Sequence, residues 1–142
     1  MIGIIDYNMG NLASVYNACK LIDADATIVK NPEDLKKFNR VILPGVGAYK
    51  DAMEHLVQTG MNEAVYEFAK TGKPMIGICL GMQLLFESSQ EFGHSDGLGL
   101  IDGHVIKFDK SKMHEDFKIP HMGWNTIKNK ENPLFEGLKD PY

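Results

Sequence analysis

Short apolar runs alternate along this chain with longer segments in which apolar residues recur every three or four positions. Four of the runs predict strands, at residues 1–5, 26–29, 41–43 and 75–78. The first lacks polar alternation and predicts a strand buried on both faces, as in parallel sheets, and the fourth predicts a buried strand. Helical spacing covers 12–22 and 49–71, the latter interrupted near Gly60. This alternation predicts an α/β fold with a doubly wound, mostly parallel open sheet.

The ends of the predicted helices carry capping signals. Asn11 is a suitable N-cap for the first helix, and Gly72 is a suitable residue to end the second. Asn31 and Pro32 predict the start of a further short helix after the second strand. We also expect a helix from Leu80 to about residue 87, directly after the fourth strand.

The pattern changes beyond that helix. Residues 88–99 are polar and contain glycine, 104–108 alternate as antiparallel strands do, and 124–128 predict another short strand. We therefore expect additional antiparallel strands. With 142 residues the chain has the size of one domain, so we predict a single domain over residues 1–142.

Composition narrows the range of partners. The net charge is -4 and the two signs are well mixed, so no basic stripe indicates nucleic acid. No apolar run reaches membrane-spanning length and no signal sequence opens the chain, so we expect no membrane partner. Cys19 and Cys79 show no sign of pairing, and free thiols indicate a cytoplasmic protein.

The fourth predicted strand leads into a G-x-C-x-G motif, with Gly77 and Gly81 two residues either side of Cys79. Missing Cβ atoms at those positions permit a sharp turn from strand to helix, as in the G-x-S-x-G nucleophile elbow. The unpaired amides of the helix start favour a thiolate, and the Leu80 N–H is a natural oxyanion donor. The alternative is a buried, inert cysteine. The motif favours Cys79 as a nucleophile.

A second glycine-containing loop, residues 44–47, follows the third predicted strand. Open α/β sheets bind ligands at the carboxyl ends of their strands, so this loop should meet the elbow. That meeting places the amides of Val46 and Gly47 near the Cys79 thiol. An ordinary tight turn is the alternative, and the neighbouring elbow favours the ligand-binding interpretation.

Acyl transfer by a thiolate usually needs an imidazole as general acid and base. Among five histidines, His121 is the strongest candidate because it lies in a compact run, Pro120-His121-Met122-Gly123-Trp124-Asn125. Spacing alone does not assign that role. The last residues, 140–142, are turn-forming, so we expect the domain to be incomplete at its C-terminus.

Five motifs of this chain resemble the motifs of one family and occur in the same order along the sequence. They are G-I-C-L-G-M-Q at 77–83, D-Y-N-M-G-N-L at 6–12, P-G-V-G at 44–47, G-L-G-L-I-D-G at 97–103 and P-H-M-G-W-N at 120–125. The first resembles the nucleophile motif of class I (triad) glutamine amidotransferases, whose fold is flavodoxin-like. Together the five resemble the glutaminase subunits of imidazole glycerol phosphate synthase. The resemblance extends along the whole chain.

The resemblance implies a reaction and a set of site residues. Cys79 would attack the side-chain amide of glutamine and release ammonia, leaving a thioester that water hydrolyses to glutamate. Oxyanion donors would be the amides of Leu80, Val46 and Gly47. The positions that help to hold glutamine are Gly47, Gln83 and Glu91. No metal and no organic cofactor is implied.

The resemblance also implies a partner. Asn11, Met122 and Trp124 match positions that face a (β/α)₈ cyclase subunit, giving a heterodimer. Ammonia would pass through an internal channel to the cyclase, which makes imidazole glycerol phosphate in histidine biosynthesis.

One family feature is missing, and other functions stay open. The family's catalytic His and Glu lie in an H-P-E motif that does not occur in these residues, so we expect the 142-residue polypeptide to have little or no glutaminase activity. A paralogue that supplies ammonia for modified-sugar biosynthesis would carry the same motifs. A non-catalytic fragment that docks on a partner is another alternative, and an unrelated Cys hydrolase or redox-sensing thiol is a third.

Overall fold

The computed structural model describes residues 1–113, 119–120, 122–126 and 135–136. The chain forms two compact units, Met1–Lys107 and Phe108–Tyr142. In the second unit, the described residues include one 3₁₀ helix, Lys110–Lys112, whose first turn is capped by the side chain of Asp109. All other helices and strands given below belong to the first unit.

The first unit is built on a parallel sheet. Its strands are β1 (Ile2–Ile5), β2 (Ala26–Val29), β3 (Arg40–Leu43) and β4 (Met75–Gly77), arranged in the order β2-β1-β3-β4. Every pairing in this sheet is parallel. The predicted α/β fold with a mostly parallel sheet is therefore confirmed, and the order is flavodoxin-like, with β1 and β3 side by side in the middle.

Helices connect these strands as the sequence predicts. They are α1 (Leu12–Leu21), a 3₁₀ helix (Pro32–Lys37), α2 (Tyr49–Thr59) and α3 (Met61–Lys70). The Asn11 side chain accepts a hydrogen bond from the Ser14 N–H at 3.2 Å, so the predicted cap of α1 is confirmed. Gly60 has a φ of 72°, which ends α2 and turns the chain into α3.

The helix predicted to run to residue 87 is wrong in length. It is a single turn, α4 (Leu80–Gln83), and the chain then enters strand β5 (Phe86–Ser89). The carbonyls of residues 84–87 accept hydrogen bonds from the amides of residues 97–101. A helix that reached residue 87 would need helical backbone angles at Phe86 and Glu87, but both residues are extended in β5, where Phe86 pairs with Ile101. Pairing with a distant segment overrides the local helical pattern.

A second sheet follows, with the order β6-β5-β7. Strand β6 (Ser95–Asp96) pairs antiparallel with β5, so the expected antiparallel addition is confirmed. Strand β7 (Ile101–Val105) pairs parallel with β5, and it begins earlier than the predicted 104–108. No strand forms over residues 124–126, and the rest of the strand predicted there lies outside the described residues.

Burial differs among the strands of the parallel sheet. Ile4 and Ile5 in the central strand β1 are both fully buried, which is what the unbroken apolar run predicts. Ile28 in β2 and Ile76 in β4 are partly exposed, so the burial predicted for residues 75–78 is wrong at Ile76. The physical reason is position: β2 and β4 are the outer strands of this sheet in the described part of the chain.

The core fills the space between the parallel sheet and the helices. Leu43 from the sheet, Leu56 from α2, and Met61 and Val65 from α3 are fully buried members of one cluster. None of the helices formed by the described residues combines the length and the apolar character needed to cross a membrane.

Neighbouring residues of α2 provide a matched test of this core. Leu56 is 0% exposed and Val57 is 58% exposed. We expect Leu56→Ala to lower the free energy of unfolding by about 2–5 kcal/mol because it leaves a cavity, and Val57→Ala to change it by less than about 0.5 kcal/mol. Urea unfolding followed by far-UV circular dichroism measures both. Equal effects would contradict the described packing.

Candidate active site

The turn between β4 and α4 holds Cys79 in an unusual conformation. Its φ is 55° and its ψ is -118°, in the region that side-chain-bearing residues seldom adopt. Such strain costs about 1–3 kcal/mol and persists only where the surrounding packing enforces it. The thiol is exposed, so the inert buried cysteine considered from the sequence is excluded. The buried cysteine is Cys19, on α1.

The glycines on either side are required by close backbone contacts. A Cβ added at Gly77 would lie 2.5 Å from the Cα of Met82. A Cβ added at Gly81 would overlap the carbonyl oxygen of Leu43, the last residue of β3. The elbow motif therefore does two things: it lets the chain reverse, and it seats the first turn of α4 directly on the end of β3.

Hydrogen bonds complete the elbow. The Ile78 N–H donates to the Leu43 carbonyl at 3.0 Å, and the Met82 N–H donates to the Cys79 carbonyl at 3.0 Å. Among the hydrogen bonds of the described residues, none uses the Leu80 N–H. This amide follows the thiol directly, as an oxyanion donor must. The other amides of α4 have backbone partners, since those of Gly81, Met82 and Gln83 donate to the carbonyls of Ile78 and Cys79.

The loop after β3 lies against the elbow, as the topology predicts. A Cβ added at Gly45 would stand 2.6 Å from the Gly81 amide nitrogen and 3.0 Å from the Leu80 Cβ. Val46 and Gly47 are exposed, and Gly47 has a φ of 100°. The contact at Gly45 brings this loop beside the Cys79 turn, while the donor role of Val46 and Gly47 stays a prediction.

The loop after β1 supports the loop after β3. The Tyr7 hydroxyl donates to the Pro44 carbonyl at 2.9 Å, and both residues are buried. Burial raises the pKa of Tyr7 far above its ordinary value, so the hydroxyl keeps its proton and its donor role. Sequence reasoning missed this residue. Its only signal was a tyrosine at the end of a buried strand, among residues typical of turns.

The two positions predicted to hold substrate occupy different settings. Gln83 is half-buried on α4. The Glu91 carboxylate accepts a hydrogen bond from the Tyr49 N–H at 2.9 Å, at the start of α2. Ala48 precedes this helix and has no side chain that can cap it, so Glu91 supplies the missing acceptor. This capping role was not predicted, and contact between Glu91 and glutamine stays a prediction.

The remaining predicted positions fall in several parts of the molecule. The side chain of Asn11 caps α1, and Met122 and Trp124 in the second unit are strongly exposed. His121 lies outside the described residues. His94 is hydrogen-bonded to Asp96, and His104 to Ser88. Within the described ranges, no group of three His, Cys, Asp or Glu side chains could hold a metal ion.

Comparison with known proteins agrees with this geometry. Residues 3–142 match the family Glutamine amidotransferase class-I. Two solved structures share the fold. The first is a crystal structure of glutamine amidotransferase, with a TM-score of 0.64 and 21% identity; the match covers 74% of this chain and 55% of that one. The second is a putative peptidase E protein from Listeria monocytogenes EGD-e, with a TM-score of 0.55 and 15% identity; the match covers 70% of this chain and 62% of that one. The chain belongs to the class-I glutamine amidotransferase family.

Three curated relatives define its place within that class. Each bears the name imidazole glycerol phosphate synthase subunit HisH. The Wolinella succinogenes and Sulfurimonas denitrificans proteins are each 59% identical over 100% of this chain, which spans 70% and 69% of their lengths. The Bacillus licheniformis protein is 49% identical, and the chain covers 68% of it. At this level of identity over the whole chain, the HisH subunits are its family within the class.

The contact between Gly81 and Leu43 can be tested. We expect Gly81→Ala to lower the free energy of unfolding by at least about 3 kcal/mol, because a rigid backbone oxygen occupies the space of the new methyl group. Gly123→Ala is the control, since an added Cβ there meets nothing within 4 Å. Urea unfolding of both variants measures the difference. A Gly81→Ala protein as stable as the control would contradict the elbow geometry.

Proposed function

We propose that this protein is the glutaminase subunit of imidazole glycerol phosphate synthase and supplies ammonia for histidine biosynthesis. The observation that carries the proposal is the exposed Cys79 thiol on a strained turn between two obligatory glycines. Membership of the class-I amidotransferases and the identity to HisH subunits support it.

The first half of the reaction uses residues of the elbow. The Cys79 thiolate attacks the side-chain amide carbon of glutamine, and the carbonyl oxygen becomes an oxyanion. The Leu80 N–H, joined by amides of Val46 and Gly47, stabilises that charge as it develops. The C–N bond then breaks, ammonia leaves with the proton that it acquires, and a glutamyl thioester remains on Cys79.

The second half returns the enzyme to its starting state. Water attacks the thioester, the C–S bond breaks, and glutamate leaves. Both halves need a group that moves protons between thiol, leaving amine and water. The described residues do not assign that group, and the sequence contains no H-P-E motif. A test of Cys79 itself is therefore more direct than a test of turnover.

The substrate and partner contacts follow the same proposal. Gly47, Gln83 and Glu91 hold glutamine beside Cys79, with one carboxylate oxygen of Glu91 engaged by the Tyr49 N–H. Asn11, Met122 and Trp124 face a (β/α)₈ cyclase subunit that receives the ammonia. Because both cysteines are free thiols, we also place the protein in the reducing cytoplasm.

Chemical labelling tests the nucleophile and the glutamine pocket together. We expect a chloroketone analogue of glutamine to form a single adduct on Cys79, and millimolar glutamine to slow its formation, because the analogue uses the substrate's own contacts. Intact mass and peptide mapping measure the adduct, with the purified chain and with a cyclase subunit added.

Two variants control the labelling. Cys79→Ala should abolish the adduct, and Cys19→Ala should leave it unchanged because Cys19 is buried. Equal labelling of the two cysteines in the original chain, or labelling that glutamine does not slow, would contradict a glutamine site at the elbow.

Binding to the cyclase tests the partner. We expect Trp124→Ala to raise the Kd by about tenfold or more, since exposed tryptophans are frequent anchors of interfaces. Phe92→Ala removes another exposed aromatic side chain, in the first unit, and should change the Kd by less than about twofold. Isothermal titration calorimetry measures both. A Trp124→Ala chain that binds as tightly as the original would refute this interface.

A further inference from the structure

The loop at residues 44–47 has little to fix its conformation from within. Two of its four residues are glycines, and glycine has the widest range of backbone angles. Val46 and Gly47 are both exposed, so side-chain burial does not hold that end of the loop. An oxyanion hole stabilises charge only if its amides are already oriented before the reaction. Something outside the loop must therefore orient it.

The Tyr7 hydroxyl is such a contact. It donates to the Pro44 carbonyl at 2.9 Å across 37 positions of sequence, and its side chain is fully buried. A buried aromatic ring has few alternative positions in a close-packed core, so its hydroxyl is a fixed point. The bond sets the plane of the peptide group between Pro44 and Gly45. The next two amides along the chain are those of Val46 and Gly47.

The loop lies close to both the Tyr7 hydroxyl and the elbow. A Cβ added at Gly45 would lie 2.8 Å from the Tyr7 hydroxyl and 2.6 Å from the Gly81 amide nitrogen. Gly45 is thus in close contact with both the hydroxyl and the elbow. A Cβ added at Gly47 would lie 3.0 Å from the terminal carbon of Met9, so the loop after β1 meets this loop at both ends.

We propose that Tyr7 is a positioning residue for the oxyanion hole: its hydroxyl fixes the Pro44 carbonyl and so orients the following amides toward the Cys79 turn. This deepens the proposed function and rests on it. Tyr7 touches no reacting atom in this proposal. Removal of the hydroxyl frees the peptide group after Pro44 and lets the two glycines sample other conformations.

A second buried tyrosine gives a matched control. Tyr49 is 1% exposed and follows the same loop at the start of α2. Its hydroxyl has no hydrogen-bond partner among the described residues, and it lies close to Gly97. Tyr49→Phe leaves the backbone N–H that donates to Glu91 in place. It is therefore the same chemical change at an equally buried ring, without the contact to Pro44.

The experiment compares two reagents on the same thiol. A chloroketone analogue of glutamine reacts by addition of Sγ to the carbonyl carbon, which forms an oxyanion. Sulfur then displaces chloride from the adjacent carbon, and its bond to the carbonyl carbon breaks as the C=O group re-forms. Iodoacetamide reacts by displacement of iodide at a saturated carbon and forms no oxyanion. The rate constants at Cys79 are measured by mass spectrometry for the original chain, Tyr7→Phe and Tyr49→Phe. Because Cys19 is buried, its failure to react with either reagent shows that each protein is folded.

The expected result is selective. Tyr7→Phe should slow the chloroketone by about tenfold or more, as a displaced reacting geometry does, and leave iodoacetamide within about twofold. Tyr49→Phe should change neither rate by more than about twofold. An unchanged chloroketone rate in Tyr7→Phe would overturn the proposal, as would equal slowing of both reagents, which indicates general damage to the elbow.

If the proposed glutaminase function is wrong, the labelling experiment gives a different result. In that case the original chain itself would react with the chloroketone no faster at Cys79 than at Cys19, and glutamine would not protect it. That outcome would refute both the glutamine site and the role of Tyr7. If the chloroketone reacts selectively with Cys79, glutamine protects the thiol, and the rate is the same in all three proteins, only the role of Tyr7 is refuted.

Discussion

The contact between the first turn of α4 and the end of β3 is the constraint on which the site depends. Gly81 lies so close to the Leu43 carbonyl that a methyl group does not fit, and the same carbonyl accepts the Ile78 N–H. The thiol-bearing turn is therefore fixed on the neighbouring strand rather than on its own strand alone. A strained residue needs such support, because a free turn would relax to ordinary backbone angles.

The order of the strands explains which loops reach that turn. In the sheet β2-β1-β3-β4, the central pair β1 and β3 sends its carboxyl-end loops to adjacent places. In flavodoxin-like sheets this pair marks the topological switch point, where ligands bind. Tyr7 comes from the loop after β1, residues 44–47 from the loop after β3, and Cys79 from the turn after β4. Three segments distant in sequence thus meet at one edge.

The second sheet also contributes to the arrangement. Strand β5 follows α4 almost immediately, and its continuation carries Glu91 to the start of α2, where the carboxylate accepts the Tyr49 N–H. The loop that precedes α2 is thereby connected at its far end to the segment beyond the nucleophile. A short α4 is necessary for this connection, since a helix extended to residue 87 would occupy the residues that form β5.

Local sequence was sufficient for the features whose causes are local. Short, mainly apolar runs determined the four parallel strands, Asn11 and Gly60 determined helix ends, and two glycines around Cys79 determined the elbow. Tertiary structure decided the rest. Residues 86–89 became strand β5 because they pair with β6 and β7, and Tyr7 and Glu91 acquired partners 37 and 42 positions away. Spacing along a chain cannot encode such pairings, because they arise only when separate strands are placed side by side.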